Sequence, residues 1–228
     1  MADSTPQILD LPNGDAAFYP SFFSRADADR LLEELRESTA WRQESIKLYG
    51  KPVDIPRLTA WYGDKDSVYT YSGITNVPRP WTPALLEVKN PVERPSGVVF
   101  NSVLLNRYRT GRDSVAWHSD DEKEFGENPI IASVSFGGVR TFQFRHKELK
   151  NLKTSVALTH GSLLIMRGTT QRHWLRQIPK TTRDVEERIN LTFRVVLAQS
   201  GEKDVGSPEG IAGPARTHVA RHLDPKGH

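Results

Sequence analysis

The chain has 228 residues, a formal net charge of +3 and no cysteine, which excludes disulfides and cysteine-based zinc or iron–sulfur sites. No apolar run approaches the roughly 18 residues of a membrane span, and the N-terminus lacks the basic and apolar regions of a secretory signal. We therefore expect a soluble protein without membrane contact, cytoplasmic in a bacterium or nuclear in a eukaryote. The mildly basic charge balance is compatible with a nucleic-acid partner.

The first half of the chain is predicted to combine an arm, two helices and short strands. Residues 1–20 are expected to form an extended arm. A serine cap and a stripe of leucines predict a helix over residues 24–39. Residues 41–73 are rich in aromatic side chains and are predicted to form short strands and loops. A second helix is expected over residues 81–89, followed by a proline-bounded loop over residues 91–95.

The second half of the chain is predicted to be mainly β. Glycines and prolines separate many of the short segments that have strand-like patterns. The expected strands cover residues 98–108, 115–119, 130–136, 139–145, 155–159, 162–167, 173–178 and 189–197. Short strands at this spacing predict a sandwich or a jelly roll with a few flanking helices.

A histidine and an aspartate stand two residues apart at His118 and Asp120. On an extended chain these side chains point to one face, where a distant second histidine, His173, could join them. Two imidazoles and one carboxylate form the triad that binds non-haem Fe(II) and leaves positions open for substrate and oxygen. The alternative is a solvated histidine and aspartate on a loop.

The segment Arg188–Arg194 alternates polar and apolar residues, as a strand does. Its polar face could lie in water, or its two arginines could hold an anion. Arg188 and Arg194 are six residues apart, roughly 20 Å along a strand. Side chains leaning in from both ends would leave room for a small dicarboxylate, which the arginine fork binds bidentately. A ferrous triad beside such a clamp implies 2-oxoglutarate.

These motifs, in this order, resemble the signature of the AlkB family of Fe(II)/2-oxoglutarate dioxygenases. Asn106-Arg107-Tyr108 also matches, since an Asn-x-Tyr pair hydrogen-bonds 2-oxoglutarate in that family. The resemblance runs from about residue 55 to residue 196 and is closest to the branch that repairs double-stranded DNA in animals. It implies the double-stranded β-helix, a jelly roll, as the fold.

The resemblance also implies the cofactors and the reaction. Fe(II) would be held by the catalytic residues His118, Asp120 and His173, with O2 as the oxidant. The 2-oxoglutarate would be bound by Asn106, Tyr108, Arg188, Asn190 and Arg194. The expected activity is oxidative removal of N-alkyl lesions such as 1-methyladenine and 3-methylcytosine, with release of formaldehyde, succinate and CO2. The expected partner of the monomeric protein is alkylated DNA, single- or double-stranded, with RNA as a further possibility.

By the same resemblance the chain divides into four regions. Residues 1–20 are the arm, and residues 21–95 hold the supporting helix and a nucleotide-recognition lid. Residues 96–199 form the catalytic core. Residues 200–228 have few large apolar residues and are expected to be a disordered tail.

The lid supplies the candidate contacts to a flipped base, which an enzyme must extrude to reach its reactive atom. Tyr71 and His118 are expected to hold the base from opposite sides, with Tyr69 at its edge and Ser72 in the same segment. Tyr49 precedes a Gly-Lys pair, as an aromatic finger does in the branch specific for double strands. The alternative is that this tyrosine folds back onto the lid.

Polar residues around the triad give further candidates. Asp121 and Glu122 could accept hydrogen bonds from an exocyclic amine, or they could be solvated turn acids. Arg57 and the basic segment 145–153 are the first candidates for phosphate contacts, although most charge runs are merely solvated. The rival functions are an oxygenase of methylated RNA, of protein or of a small molecule, and a non-catalytic nucleic-acid-binding jelly roll.

Overall fold

The computed structural model describes residues 5–48, 50–67, 69–71 and 74–197. Within these residues the protein is mainly β, with 14 strands and three α-helices, as predicted. None of the helices among them is long and apolar enough to cross a membrane.

The strands are, in chain order, β1 Gln7–Ile8, β2 Asp15–Tyr19, β3 Arg42–Leu48, β4 Lys51–Gly63, β5 Tyr69–Tyr71, β6 Ile74–Asn76, β7 Ser102–Tyr108, β8 Val115–His118, β9 Ile131–Gly137, β10 Arg140–His146, β11 Lys153–Leu158, β12 Ser162–Arg167, β13 Trp174–Ile178 and β14 Arg188–Arg194. The helices are α1 Arg25–Ser38, α2 Pro83–Ser96 and α3 Thr170–His173, and a 3₁₀ turn spans Lys123–Phe125.

Two antiparallel sheets face each other. The large sheet has the spatial order β1-β2-β12-β9-β14-β7-β4-β3, and the small sheet has the order β11-β10-β13-β8. The eight strands from β7 to β14 are shared between the two sheets, four in each, so consecutive strands repeatedly cross from one sheet to the other. This arrangement is the predicted double-stranded β-helix. Strands β5 and β6 pair separately as a hairpin.

The alternation along β14 separates two environments. Ile189, Leu191 and Phe193 are fully buried in the core between the large sheet and the helices. The polar side chains of the strand point the other way, into the space between the two sheets, and they are buried as well. The expectation of a solvated polar face is therefore excluded for this strand.

The two long helices cover the outer face of the large sheet. Ser24 Oγ accepts a hydrogen bond from the Asp27 amide at 3.2 Å, which caps α1 as predicted. The predicted loop over residues 91–95 is wrong, because α2 continues through both prolines to Ser96. Val88 and Val92, one turn apart, are fully buried, so the packed face extends the helix past the residues that would otherwise end it.

The N-terminal regions belong to the same sheet as the core. Strand β1 pairs with β2 and β2 pairs with β12, so the expected arm is part of the large sheet from Gln7 onward. The short strands expected over residues 41–73 are partly wrong, because β4 is a single strand of 13 residues that pairs with β7. The predicted regions 21–95 and 96–199 therefore share one sheet and one core.

Boundaries in the core are close to those predicted, with two exceptions. The strand expected from residue 98 begins at Ser102. The strand expected from residue 173 begins at Trp174, because the short helix α3, which was not predicted, ends at His173. The other predicted strands of the core agree with the structure within three residues.

Candidate active site

A cavity of about 390 Å³ lies between the two sheets. Its size falls within the range of small-molecule sites, roughly 300–1,000 Å³. Strand β14 supplies its polar floor, β7 and β4 one wall, and β8 and β13 the opposite wall. Because both sheets contribute alternate residues to it, polar groups far apart in the chain converge there.

Arg188 has hydrogen-bonding capacity that the protein does not use. Its side chain is 1% exposed, and its Nη2 donates to Ser135 Oγ at 2.9 Å. The guanidinium lies 5.1 Å from the centre of the Tyr108 ring. Its Nε and Nη1 are buried and have no hydrogen-bond partner among the described residues. Burial lowers the pKa of Arg188 to about 10, so it stays charged at neutral pH. Two unpaired donors on a buried cation match a carboxylate.

The two asparagines of the predicted cofactor site are engaged within the protein. Asn106 Oδ1 accepts from Arg57 Nε at 2.7 Å. Asn190 Nδ2 donates to Ser133 Oγ at 2.8 Å, and its Oδ1 accepts from Thr192 Oγ1 at 3.0 Å. Both line the cavity, but Asn190 has its amide groups committed to the wall. We assign it the role of fixing the floor beneath a ligand.

Asp120 is held by two arginines on one oxygen. Its Oδ2 accepts from Arg194 Nε at 2.6 Å and lies 2.6 Å from Arg176 Nη2. Burial alone would raise the pKa of Asp120, but the charges of Arg176 and Arg194 hold it well below its usual value. The carboxylate is therefore ionised, and Arg194 is occupied by it.

His118 lies on the same side of the cavity as Asp120. Its Nδ1 is 2.8 Å from the carbonyl oxygen of Ala116, so Nδ1 carries the proton and Nε2 keeps its lone pair. Burial and the nearby charge of Arg176 lower the pKa of His118 to about 4. A neutral imidazole is the form that binds a metal ion.

The structure does not bring His173 to this pair. His173 is the last residue of α3, its ring stacks on that of His146 with centroids 5.8 Å apart, and it does not line the cavity. In the described part of the chain, no three His, Cys, Asp or Glu side chains are grouped so that they could hold a metal ion. Two of the three predicted metal ligands therefore meet.

The side chain that does face His118 and Asp120 is Arg176, which sequence reasoning missed. Strand β13 pairs with β8 so that Arg176 lies opposite His118. Its side chain is 5% exposed and bonds both Asp120 and Gln171 Oε1. The Asp120 amide also donates to Gln171 Oε1, at 3.2 Å.

A signal for Arg176 was present in the sequence. Trp174 and Ile178 are the apolar residues of a strand with period two, and Arg176 is in phase with them. A charge in the buried phase of a strand is unusual and marks a paired or functional group.

The two acidic residues that follow Asp120 lie in different environments. Glu122 lines the cavity, consistent with the predicted contact to a substrate. The side chain of Asp121 is 55% exposed and pairs with Lys147 at 2.8 Å, so it lies on the surface. The contact predicted for Asp121 is therefore not supported by its position.

Arg57 lies in the cavity wall, where Nη1 donates to the Ser114 carbonyl at 3.2 Å. Its guanidinium therefore lies next to the space that a ligand in the cavity would occupy, and its contact with phosphates stays a prediction. In the basic segment, the Arg145 guanidinium lies 4.5 Å from the centre of the Trp117 ring. Arg107 and Arg109 do not line the cavity and pair with acidic residues.

Four predicted substrate residues cannot be placed. Tyr49 and Ser72 lie outside the described residues, and so do the side chains of Tyr69 and Tyr71, whose backbone forms β5. Their roles stay predictions. The expected tail, residues 200–228, also lies outside the described part of the chain.

Comparison with known proteins identifies the family. Residues 15–194 match the profile of the 2OG-Fe(II) oxygenase superfamily. The chain is 39% identical over 189 residues to the mouse "DNA oxidative demethylase ALKBH2", covering 78% of this chain and 79% of that protein. The chain belongs to the AlkB family of 2OG-Fe(II) oxygenases. Whether it belongs to the branch for double strands stays a prediction.

Two further comparisons bear on this assignment. The chain is 45% identical over 187 residues to human "Alpha-ketoglutarate-dependent dioxygenase alkB homolog 3", covering 78% of this chain but 65%, less than two thirds, of that protein. The solved structure of OsALKBH1 superposes with a TM-score of 0.58 at 15% identity, covering 83% of this chain and all of that one. The latter supports the jelly-roll fold alone.

The family's cofactors are Fe(II), 2-oxoglutarate and O2. The unpaired donors of Arg188 fit a carboxylate of 2-oxoglutarate. A facial-triad metal site needs three donors, of which His118 and Asp120 provide two. The third side chain facing them is a guanidinium, which has no lone pair to offer. The described residues therefore fit 2-oxoglutarate but not a three-ligand ferrous centre.

Proposed function

We propose that this protein is an AlkB-type oxidative demethylase that acts on N-alkylated bases in DNA, such as 1-methyladenine and 3-methylcytosine. In the overall reaction the methyl group leaves as formaldehyde while 2-oxoglutarate and O2 are converted to succinate and CO2. Membership of the AlkB family and the relatives named DNA oxidative demethylases support this proposal. The observation that carries it is the buried Arg188 with two unpaired donors inside the cavity.

The cavity residues have distinct tasks in this function. Arg188, oriented by Ser135 and by the ring of Tyr108, binds the distal carboxylate of 2-oxoglutarate. A bidentate pair in a buried site fixes the co-substrate in one orientation.

The base would enter the same cavity from the lid side. Residues of β3 and β4, among them Ser45 and Arg57, line the cavity together with the arginines of β14. The hydrogen bond from Arg57 to Asn106 joins the lid strand to the cofactor wall. A flipped base held by the lid would thus lie next to the co-substrate, as a transfer of oxygen to its methyl group requires.

Tyr49 carries the proposed preference for double strands. A base flipped from a duplex leaves a gap in the stack, and an aromatic face filling that gap recovers about 1–3 kcal/mol. Single strands have no such gap. Tyr49→Ala should therefore slow repair of double-stranded DNA several-fold and leave single-strand repair nearly intact. An equal loss on both substrates would show that the residue supports the lid instead.

The test is demethylation measured directly. The protein, with Fe(II), 2-oxoglutarate and oxygen, is given oligonucleotides that carry 1-methyladenine or 3-methylcytosine in single-stranded DNA, double-stranded DNA or RNA. Mass spectrometry follows the loss of the methyl group, and formaldehyde and succinate are quantified in parallel. We expect product from DNA in amounts equal to the succinate formed.

Controls separate the rival functions. Arg188→Ala should lower turnover sharply at limiting 2-oxoglutarate, whereas Arg109→Ala changes an arginine outside the cavity and should not. Product from RNA alone would assign the activity to methylated RNA. Binding of oligonucleotide without succinate from any variant would favour the non-catalytic jelly roll. As further parts of the proposal, the protein acts as a monomer, in the bacterial cytoplasm or the eukaryotic nucleus.

A further inference from the structure

We infer that Arg176 occupies the position that the third metal ligand would need, and that its ion pair with Asp120 competes with a metal ion for this carboxylate. The guanidinium lies opposite His118 in the register of β8 and β13 and 2.6 Å from Asp120 Oδ2. It is buried in the cavity that His118 and Asp120 line. The inference rests on the proposed function only for the identity of the metal.

The charges around Asp120 favour the ion pair. Two guanidinium groups, those of Arg176 and Arg194, share one carboxylate oxygen. The local charge is already positive before a divalent ion arrives, although Glu122 offsets part of the charge of Arg176. Because charges interact strongly in a buried site, these guanidinium groups oppose the approach of a divalent ion to Asp120, and binding through Oδ2 requires Arg176 to move.

The donor chemistry points in the same direction. Guanidinium has five donors and no acceptor, so Arg176 cannot become a ligand while it stays charged. Gln171 Oε1 accepts a hydrogen bond from it, and this bond holds the guanidinium toward Asp120. Arg176 is thus supported from both sides in the conformation that excludes a third ligand.

His173 does not replace the absent donor in this arrangement. Its ring packs on His146, whose Nδ1 accepts hydrogen bonds from the amides of Glu148 and Leu149 at 3.2 and 3.0 Å. His146 is 2% exposed and is therefore a fixed platform for His173. The residue that faces the metal position by strand register is Arg176.

As a consequence, the 2-oxoglutarate site and the metal site differ in whether they can bind their ligand without rearrangement. The 2-oxoglutarate site at Arg188 is complete, while the metal site binds weakly until Arg176 moves or is replaced. Metal binding, and not substrate recognition, would then limit turnover. An imidazole at position 176 would complete the set of two histidines and one carboxylate.

The experiment measures metal affinity without turnover. Mn(II) is titrated anaerobically into the wild type and into Arg176→His, and free Mn(II) is followed by electron paramagnetic resonance. We expect Arg176→His to bind on the order of 10- to 100-fold more tightly, the scale on which neighbours of a metal change its affinity. Equal affinity in both proteins would overturn the inference.

Three further variants locate the effect. Arg176→Gln removes the charge without adding an imidazole, so its gain in affinity should be smaller than that of Arg176→His. Arg109→His changes an arginine paired with Asp113 outside the cavity and should leave Mn(II) affinity unchanged. In the Arg176→His background, His173→Ala should also leave it unchanged. A large loss there would assign the third ligand to His173 and overturn the inference.

Folding of each variant is checked by thermal unfolding and by 2-oxoglutarate binding at Arg188. Demethylation assays with Fe(II) then separate this inference from the proposed function. Tight Mn(II) binding by Arg176→His without demethylation by any variant would contradict the proposed function but support the inference. Equal turnover by the wild type and Arg176→His at limiting Fe(II) would overturn the inference while supporting the proposed function.

Discussion

Two arginines of one strand face the same cavity but differ in whether the protein supplies a partner of opposite charge. Arg188, at one end of β14, has two buried donors without an acceptor among the described residues. Arg194, at the other end, donates to Asp120, which Arg176 also holds. The residue type and the strand are the same at both ends. The difference is that a carboxylate, that of Asp120, accepts from Arg194, whereas no carboxylate among the described residues accepts from Arg188.

This contrast distinguishes a binding site from a structural ion pair. A buried cation with spare donors is costly unless a ligand completes it, which makes the Arg188 end ready for an anion. At the Arg194 end the Asp120 carboxylate supplies the counter-charge. The burial of an arginine therefore does not identify a ligand site until its partners have been counted.

The largest effect should come from removing the shared acceptor. Asp120→Ala leaves Arg176 and Arg194 buried without their counter-charge and should lower the free energy of unfolding by about 3–5 kcal/mol. Chemical denaturation measures this change. The control is Asp121→Ala, whose exposed pair with Lys147 should contribute less than about 1 kcal/mol. Equal changes in the two variants would show that the ion pairs of Asp120 stabilise the fold no more than an exposed pair does.

A smaller effect, on binding, should follow at the other end. Arg188→Ala removes charge-assisted hydrogen bonds of about 1.5–3 kcal/mol and should weaken 2-oxoglutarate binding on the order of 10- to 100-fold. Isothermal titration calorimetry without metal measures it. Since Arg188 has no carboxylate partner among the residues described, the variant should lose little stability compared with Asp120→Ala. Undiminished affinity would show that Arg188 does not bind the co-substrate.

The smallest effect tests whether Ser135 orients the Arg188 guanidinium. Ser135→Ala removes the hydroxyl that accepts a hydrogen bond from Arg188 and should weaken 2-oxoglutarate binding by about 0.5–1.5 kcal/mol. Ser133→Ala is the matched control, because its hydroxyl bonds Asn190 on the same strand face. If the two serine variants weaken binding equally, the orientation of Arg188 does not depend on Ser135.

Local pattern was enough to predict β14 and both of its arginines, because a period of two is visible in the sequence. It did not show that the polar face lies between two sheets, since that depends on which strands pair. Arg176 was missed for the same reason. Its contact with Asp120 arises from the register of β13 on β8, and these strands are far apart in the chain.

His173 shows how spacing can mislead. A second histidine at a suitable distance in sequence was assigned to the metal, whereas the short helix α3 directs it toward His146. The extent of α2 was misjudged because its prolines were read as a break, and the length of β4 was not visible in the aromatic-rich segment that contains it. In α2 the burial of neighbouring residues outweighs the local preference of proline.

The position of β14 has a consequence for how the chain folds. It follows every other described strand in sequence, yet it lies between β7 and β9 in the large sheet. Until it is in place, β7 and β9 present unpaired edges, and every contact it makes closes a long loop. We expect folding to be slow, with early intermediates prone to associate through those edges. The strand that carries the binding arginines is thus also the one whose docking commits the chain to its native state.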